Sequence, residues 1–259
     1  MSVTDDQAAR AAPVAKPDKR WQKTHARLLN VGLDVISELG AEGASVDLIV
    51  KRANITKQTF FHHFQSIESL IDELWRETIA MVEAEIRQTN HGIDDPAFRL
   101  ARGVAVYARL CIVHRARTRF MSRYWYRTIA ISEGNPGLES DLSAGMISGR
   151  FRINDVESAM LMLLGGAGAL IRRLLEAETE NEAKRLTQDV LFLMMNTLGM
   201  ERREAQGISA RVTEDIFAQA TGFGAGFTGF SGTGHSIDEQ NPETGGRRFQ
   251  NVSDGLPQA

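Results

Sequence analysis

One cysteine in 259 residues, Cys111, has no partner for an internal disulfide, so packing rather than covalent staples must hold the fold. Prolines are scarce too. The six lie at positions 13, 17, 96, 136, 242 and 257, and the long intervals between them leave room for uninterrupted helices. The longest stretch without a strongly polar residue, Ala159 to Ile171, falls short of the roughly 20 residues a membrane helix needs. The N-terminal segment lacks the apolar run of a secretory signal, which points to a cytoplasmic protein with no membrane association. Positive charge is not in excess: a net charge of -3 excludes a wholesale polyanion binder and confines any nucleic-acid contact to a local patch. Runs of alternating β-branched residues, the mark of strands, are missing as well.

What is present is helical periodicity. A hydrophobic share of 42% supplies a core for one or two domains. Between Ser66 and Asn90 the apolar residues Ile67, Leu70, Ile71, Leu74, Trp75, Val82 and Ile86 recur three and four apart, which predicts a long amphipathic helix. The same spacing predicts helices over 20–39, 96–115, 118–132, 137–148, 155–177 and 182–198, so the expected fold is all-α. Past residue 203 the pattern decays toward "GFGAGFTGFSGTG" (222–234), and 204–259 reads as a low-complexity, disordered tail. The G-x-G-x-x-G match within it follows no strand and opens no helix, so it is no dinucleotide site. Residues 1–18, Ala-rich with two prolines, read as a flexible arm.

The most informative segment runs from 45 to 64. In "SVDLIVKRA", Val46, Ile49, Val50 and Ala53 share one helical stripe and Ser45 is placed to cap it. Asn54 tolerates the left-handed conformation that ends helices, and Thr56 is placed to cap the next one. Within "KQTFFHHF", an advance of about 100° per residue turns Phe60 and Phe64 inward. Lys57, Gln58, Phe61 and His62 then point outward, with Thr59 at the margin. A helix, a short turn and a second helix presenting donors, acceptors and an apolar ring make a major-groove reader. His62 and His63 diverge by about 100° and lack a third ligand in reach, so no metal is expected there. No other cofactor is implied.

These residues carry a resemblance. "RLLNVGLDVISELGAEGASVDLIVKRANITKQTFFHHFQSIESL", within roughly 20 to 75, resembles the first four helices of the TetR/AcrR family of bacterial one-component transcriptional regulators. The shared marks are Glu-Leu-Gly at 38–40, Ser-Val at 45–46 and the aromatic-His-Phe ending at 61–64. The resemblance implies a three-helix DNA-binding domain over 19–66 and a helical effector-binding and dimerisation domain over 67–203. It places base and phosphate contacts at Lys57, Gln58, Thr59, Phe61, His62 and His63, and helix-terminal phosphate contacts at Ser45 and Thr56. The chain departs from the family pattern at Phe61, where a tyrosine hydroxyl is lost, and at Ile67, where a lysine is lost. Fewer phosphate contacts imply a shallower salt dependence. Lys16, Lys19, Arg20 and Lys23 are placed to supply other cations.

By the same resemblance, 155–177 and 182–198 of two chains build a four-helix homodimer interface. Tyr107, Cys111, Phe120, Tyr124 and Trp125 are the candidate lining of an effector cavity, or else ordinary core aromatics beside a core cysteine. The glycines of "LLGGAGALIRR" (163–173) mark either close helix packing or a subunit contact. The expected function is a repressor that leaves a near-palindromic double-stranded operator when a small apolar or amphipathic effector binds. A helical protein that binds a protein partner instead is the alternative. No catalytic constellation is assembled, since Cys111 and His114 lack an orienting acid and an oxyanion turn.

Overall fold

The computed structural model describes residues 19–127 and 135–219, and among these it contains ten helices and no strand. The arm at 1–18, Lys16, the end of the helix expected over 118–132 and the Gly/Phe-rich stretch at 222–234 lie outside the described residues. A head is formed by α1 (Lys19–Gly43), α2 (Val46–Ala53) and α3 (Lys57–His63). The long α4 (Ile67–Thr89) follows, opened by a reciprocal cap in which the Ser66 and Ser69 side chains each accept from the other's backbone N–H. It leads from the head to α5 (Pro96–Val113), which packs against nearly every helix of the body. The body is completed by α6 (Arg115–Tyr124), α7 (Pro136–Ile147), α8 (Val156–Leu174), α9 (Glu180–Thr197) and α10 (Arg202–Phe217).

Two sequence expectations need correction. The helices expected over 96–115 and 118–132 meet instead at His114, whose backbone (φ −129°, ψ 60°) breaks the helix. The Thr118 hydroxyl stabilises that break by donating to the carbonyls of Leu110 and His114, both at 3.1 Å. The second correction concerns the tail. Residues 202 to 217 form α10, which buries Ala205, Ile208, Val212, Ile216 and Phe217 against α5 and α9. Those apolar residues are sparse but fall about four apart, so packing stabilises a helix whose composition alone reads as polar.

Arginines fasten α10 at both ends, Arg150 at Glu204 and Arg109 at Phe217. Arg150 pairs with both Asp95 (2.8 Å) and Glu204 (2.7 Å), and Arg109 binds Glu180 at 2.6 Å with its guanidinium over the Phe217 ring. Close approaches account for two of the glycines at 163–173. A Cβ at Gly166 would meet Met194 at 2.8 Å, and one at Gly168 would meet Trp125 at 2.4 Å. Truncation after residue 203 is expected to lower the unfolding free energy by about 3 kcal/mol or more, since each large apolar side chain buried contributes about 1.5–3 kcal/mol before the entropy of ordering is offset. Chemical denaturation of the two chains checks this, and equal midpoints would show α10 to be dispensable.

Candidate functional site

The α2–turn–α3 unit is built by its own side chains. Ser45 Oγ accepts from the Leu48 N–H at 3.2 Å and Thr56 Oγ1 from the Thr59 N–H at 3.1 Å, so each helix is capped. Asn54, at φ 50° and ψ 54°, is the one non-glycine residue with positive φ among the described residues. It ends α2, and the Ile55 N–H donates to the Val50 carbonyl at 3.0 Å across the turn. Phe60 is fully buried and Phe64 is 3% exposed, their centroids 5.8 Å apart. The helix is therefore fixed from behind.

In front, Lys57, Gln58 and His62 are exposed, Phe61 is 55% exposed and Thr59 lies at the margin. Lys57 Nζ pairs with Asp47 at 2.7 Å, and the Thr59 and Thr56 hydroxyls are 2.9 Å apart. Both contacts hold donors in place while remaining open to solvent. Ser45, Thr56 and Lys23 are exposed, the last on α1 with Lys19, Arg20 and Arg27. Ile67 is partly buried against the core, so it does not extend Phe61 into an apolar patch.

His63 differs from the expectation that groups it with the outward residues. Its ring lies 4.6 Å from Trp21 and 5.4 Å from His25, and its Nδ1 is 3.3 Å from His25 Nδ1. His25 in turn reaches Glu73 on α4 at 2.6 Å. The residue thus joins α3 to α1 and α4 because its side chain, one step before Phe64, turns toward the head's interior. Desolvation, and then the neighbouring His25 and His62, hold the His63 imidazole below its usual range despite the opposing pull of Glu73.

A cavity of about 140 Å³ opens in the body between α4, α5, α6, α7 and α8. Tyr107 and Trp125 line it, as expected, with their rings edge to face at 5.3 Å. Cys111, Phe120 and Tyr124 do not line it, which corrects the expectation for all three. Phe120 and Tyr124, four residues apart, pack on each other at 4.9 Å with their rings tilted by 46°, on a different face of α6 from Trp125. Cys111 is fully buried, its thiol pushed up to about 12 by desolvation, which keeps it from acting as a nucleophile near neutral pH. Lining residues missed in the sequence include Glu83, Asn90, Arg99 and Asp141. They come from three helix regions and share no local motif.

The cavity and the head meet through α6. Trp125, at its end, donates to the Leu164 carbonyl at 2.8 Å and abuts Gly168. Arg123 sits over Gly40 of α1, where a Cβ would lie 3.0 Å from its Nη1, and Arg127 binds Asp72 of α4 at 2.6 Å. Among the described residues no helix is long and apolar enough to cross a membrane, and no three His, Cys, Asp or Glu gather as a metal site.

Comparison with known proteins agrees with this geometry. The family model for bacterial regulatory proteins of the tetR family matches residues 28–74, and that for the tetracyclin repressor-like C-terminal domain matches 95–211, together well over half of the chain. The HTH-type transcriptional regulator UidR of Escherichia coli K12 is 35% identical over 72 residues, which is 28% of this chain and 37% of UidR. The chain therefore spans little more than a third of the length of that curated relative. The structure of RolR with resorcinol is 23% identical and covers 74% of this chain and 96% of its own, with a TM-score of 0.52. FadR from Bacillus subtilis with stearoyl-CoA is 18% identical and covers 68% and 98%, with a TM-score of 0.59. Both share the fold.

Because the folded state holds His63 less basic than the unfolded chain, the unfolded state takes up the proton first as pH falls. Stability is therefore expected to fall as pH drops below about 6.5, with His63→Phe keeping the ring stack and flattening the slope. Thermal midpoints of both proteins between pH 7.5 and about 5.5 test this; parallel curves would remove His63 as the cause.

Proposed function

The chain belongs to the tetR family of bacterial regulatory proteins, and on that premise we propose that it acts in the cytoplasm as a homodimeric repressor released from DNA by a small molecule. The observation that carries this is the exposed face of α3, held rigid by Phe60 and Phe64. Lys57, Gln58, Thr59, Phe61 and His62 enter the major groove, where lysine donates to guanine, glutamine pairs with adenine and the Phe61 ring meets a thymine methyl. Asp47 parks the Lys57 ammonium until a base or phosphate replaces it. Ser45, Thr56 and Lys23 lie on the phosphate side, positioning rather than reading.

Two chains associate through α8 and α9. Leu161 and Met162 on α8 are exposed, and Thr197 Oγ1 of α9 lies 3.6 Å from Met162 Sδ. Leu193, one turn before Thr197, is 60% exposed, so the two helices present one continuous apolar face. Dimerisation sets two α3 helices about 34–36 Å apart, which requires a near-palindromic operator. A ligand in the cavity displaces Trp125, and α6 passes that shift to Gly40 of α1 and Asp72 of α4. The resulting change of spacing lets the operator go.

Selection from random DNA by the purified protein is expected to return a near-palindrome. Lys57→Ala with Thr59→Ala should then lower affinity for that sequence about 30-fold or more, with helical content unchanged by circular dichroism. Undiminished binding would reject α3 as the reader. At the dimer face, Leu193→Asp buries an unpaired carboxylate and should weaken self-association about a hundredfold or more in sedimentation. A dimer that survives would place the interface elsewhere.

A further inference from the structure

We infer that the body cavity takes a neutral, single-ring aromatic molecule bearing one hydroxyl or amino donor, and that Asn90 Oδ1 receives that donor. The assignment rests on the effector reading above and narrows it to a chemical class.

Size comes first. At about 140 Å³ the cavity matches the roughly 150 Å³ apolar cavity that holds benzene in an engineered protein, so one ring fills it and an acyl chain does not fit. Polarity comes next. Asn90 is 4% exposed, its Nδ2 donates to the Arg99 carbonyl at 3.1 Å, and its Oδ1 is a buried acceptor with no partner. Fixing Nδ2 on a carbonyl fixes the orientation of the amide, so the free atom is the oxygen. An unsatisfied buried acceptor is costly, and a donor supplied by the ligand removes that cost.

Charge is balanced before any ligand arrives. The two acids of the lining pair with its two bases, Glu83 with Arg87 at 3.7 Å and Asp141 with Arg99 at 2.6 Å. A charged ligand must therefore displace one of these pairs to gain a counter-ion, whereas a neutral one leaves both intact. Burial and the nearby Glu83 carboxylate also raise the Tyr107 hydroxyl well above the ordinary phenol range, a second sign that the site resists anions. The edge-to-face pair of Tyr107 and Trp125 offers a third ring the same offset geometry.

Titration calorimetry on the full chain without DNA, using phenol, aniline, toluene, benzoate and benzylamine, tests the assignment. Phenol and aniline are expected to bind about tenfold or more tighter than toluene, and the two ions not to bind. Asn90→Leu should reverse the order in favour of toluene. Gly103→Val should abolish binding of all rings, because Gly103 lines the cavity and a Cβ there has room, 3.9 Å from Ile86, to project into it. Equal affinity for toluene and phenol, binding of either ion as tight as phenol, or phenol binding undiminished in Gly103→Val overturns the proposal. Should Asn90→Leu fail to fold, the wild-type series and Gly103→Val decide it. DNA selection by the same preparation separates the two readings: DNA bound without phenol rejects the ligand class alone, whereas phenol bound with no DNA selected rejects the regulator and leaves the ligand class standing.

Discussion

Two buried phenylalanine rings set the geometry on which everything else in the molecule depends. A helix of seven residues such as α3 does not persist by itself in water, because nucleation costs more than so few backbone hydrogen bonds return. Its shape is therefore lent to it by Phe60 and Phe64, and by the Trp21 and His25 rings of α1, which pack on His63 and, through His25, on Phe64. The outward side chains inherit that rigidity. A reader of base edges needs it, since a side chain that must be ordered on contact spends part of its binding energy on entropy.

The same economy governs the link between head and body. The contact at Gly40 comes from Arg123 in the last turn of α6 and that at Asp72 from Arg127 just beyond it, and Trp125 between them touches the cavity. The C-terminal end of this short helix therefore touches head and cavity within three residues, while Arg115 at its start is tied to the Leu175 carbonyl at 2.7 Å. Gly40 matters here for two reasons: its φ of 77° kinks α1, and the missing Cβ admits the Arg123 guanidinium. His25 and Glu73 make a further strut between α1 and α4, so α1 is braced by both α4 and α6.

Much of this was legible in the sequence, for a reason that also explains what was not. The helix-turn-helix is written in contiguous residues, with caps at Ser45 and Thr56, a stop at Asn54 and a two-ring anchor four residues apart. Every one of those signals acts within a turn or two of itself. The cavity has no such local signature, because its lining comes from five helices and depends on their packing. Aromatic density around 107–126 pointed to the right helices and to some of the right side chains: Tyr107 and Trp125 line the cavity, while Phe120 and Tyr124 turn to another face. The reading of α10 as tail failed similarly, since Ile208, Val212, Ile216 and Phe217 form a core face only once α5 and α9 lie beside them. The resemblance groups His63 with the contact residues, and only the Trp21 and His25 rings of α1 show that it leans toward the head's interior.

Energetics add a constraint on the switch itself. A ring with a single donor has about seven non-hydrogen atoms, and even the best small ligands return no more than about 1.5 kcal/mol per atom, or about 10 kcal/mol in all. Moving a two-state protein from 1:99 to 99:1 takes a differential of about 5.5 kcal/mol. More than half of the greatest binding energy open to such a ligand must then be absent from the DNA-bound arrangement. A slightly tighter fit in one state does not provide that; the cavity has to be all but closed in the other. Trp125 is the side chain suited to close it, because its indole is already wedged at Gly168 and tethered to the Leu164 carbonyl by one hydrogen bond. In the proposed switch, a rotation of α6 that fills the cavity with this ring would exclude the ligand at the cost of the Leu164 hydrogen bond and the Gly168 and Tyr107 contacts, so the position of Trp125 and the size of the cavity are coupled.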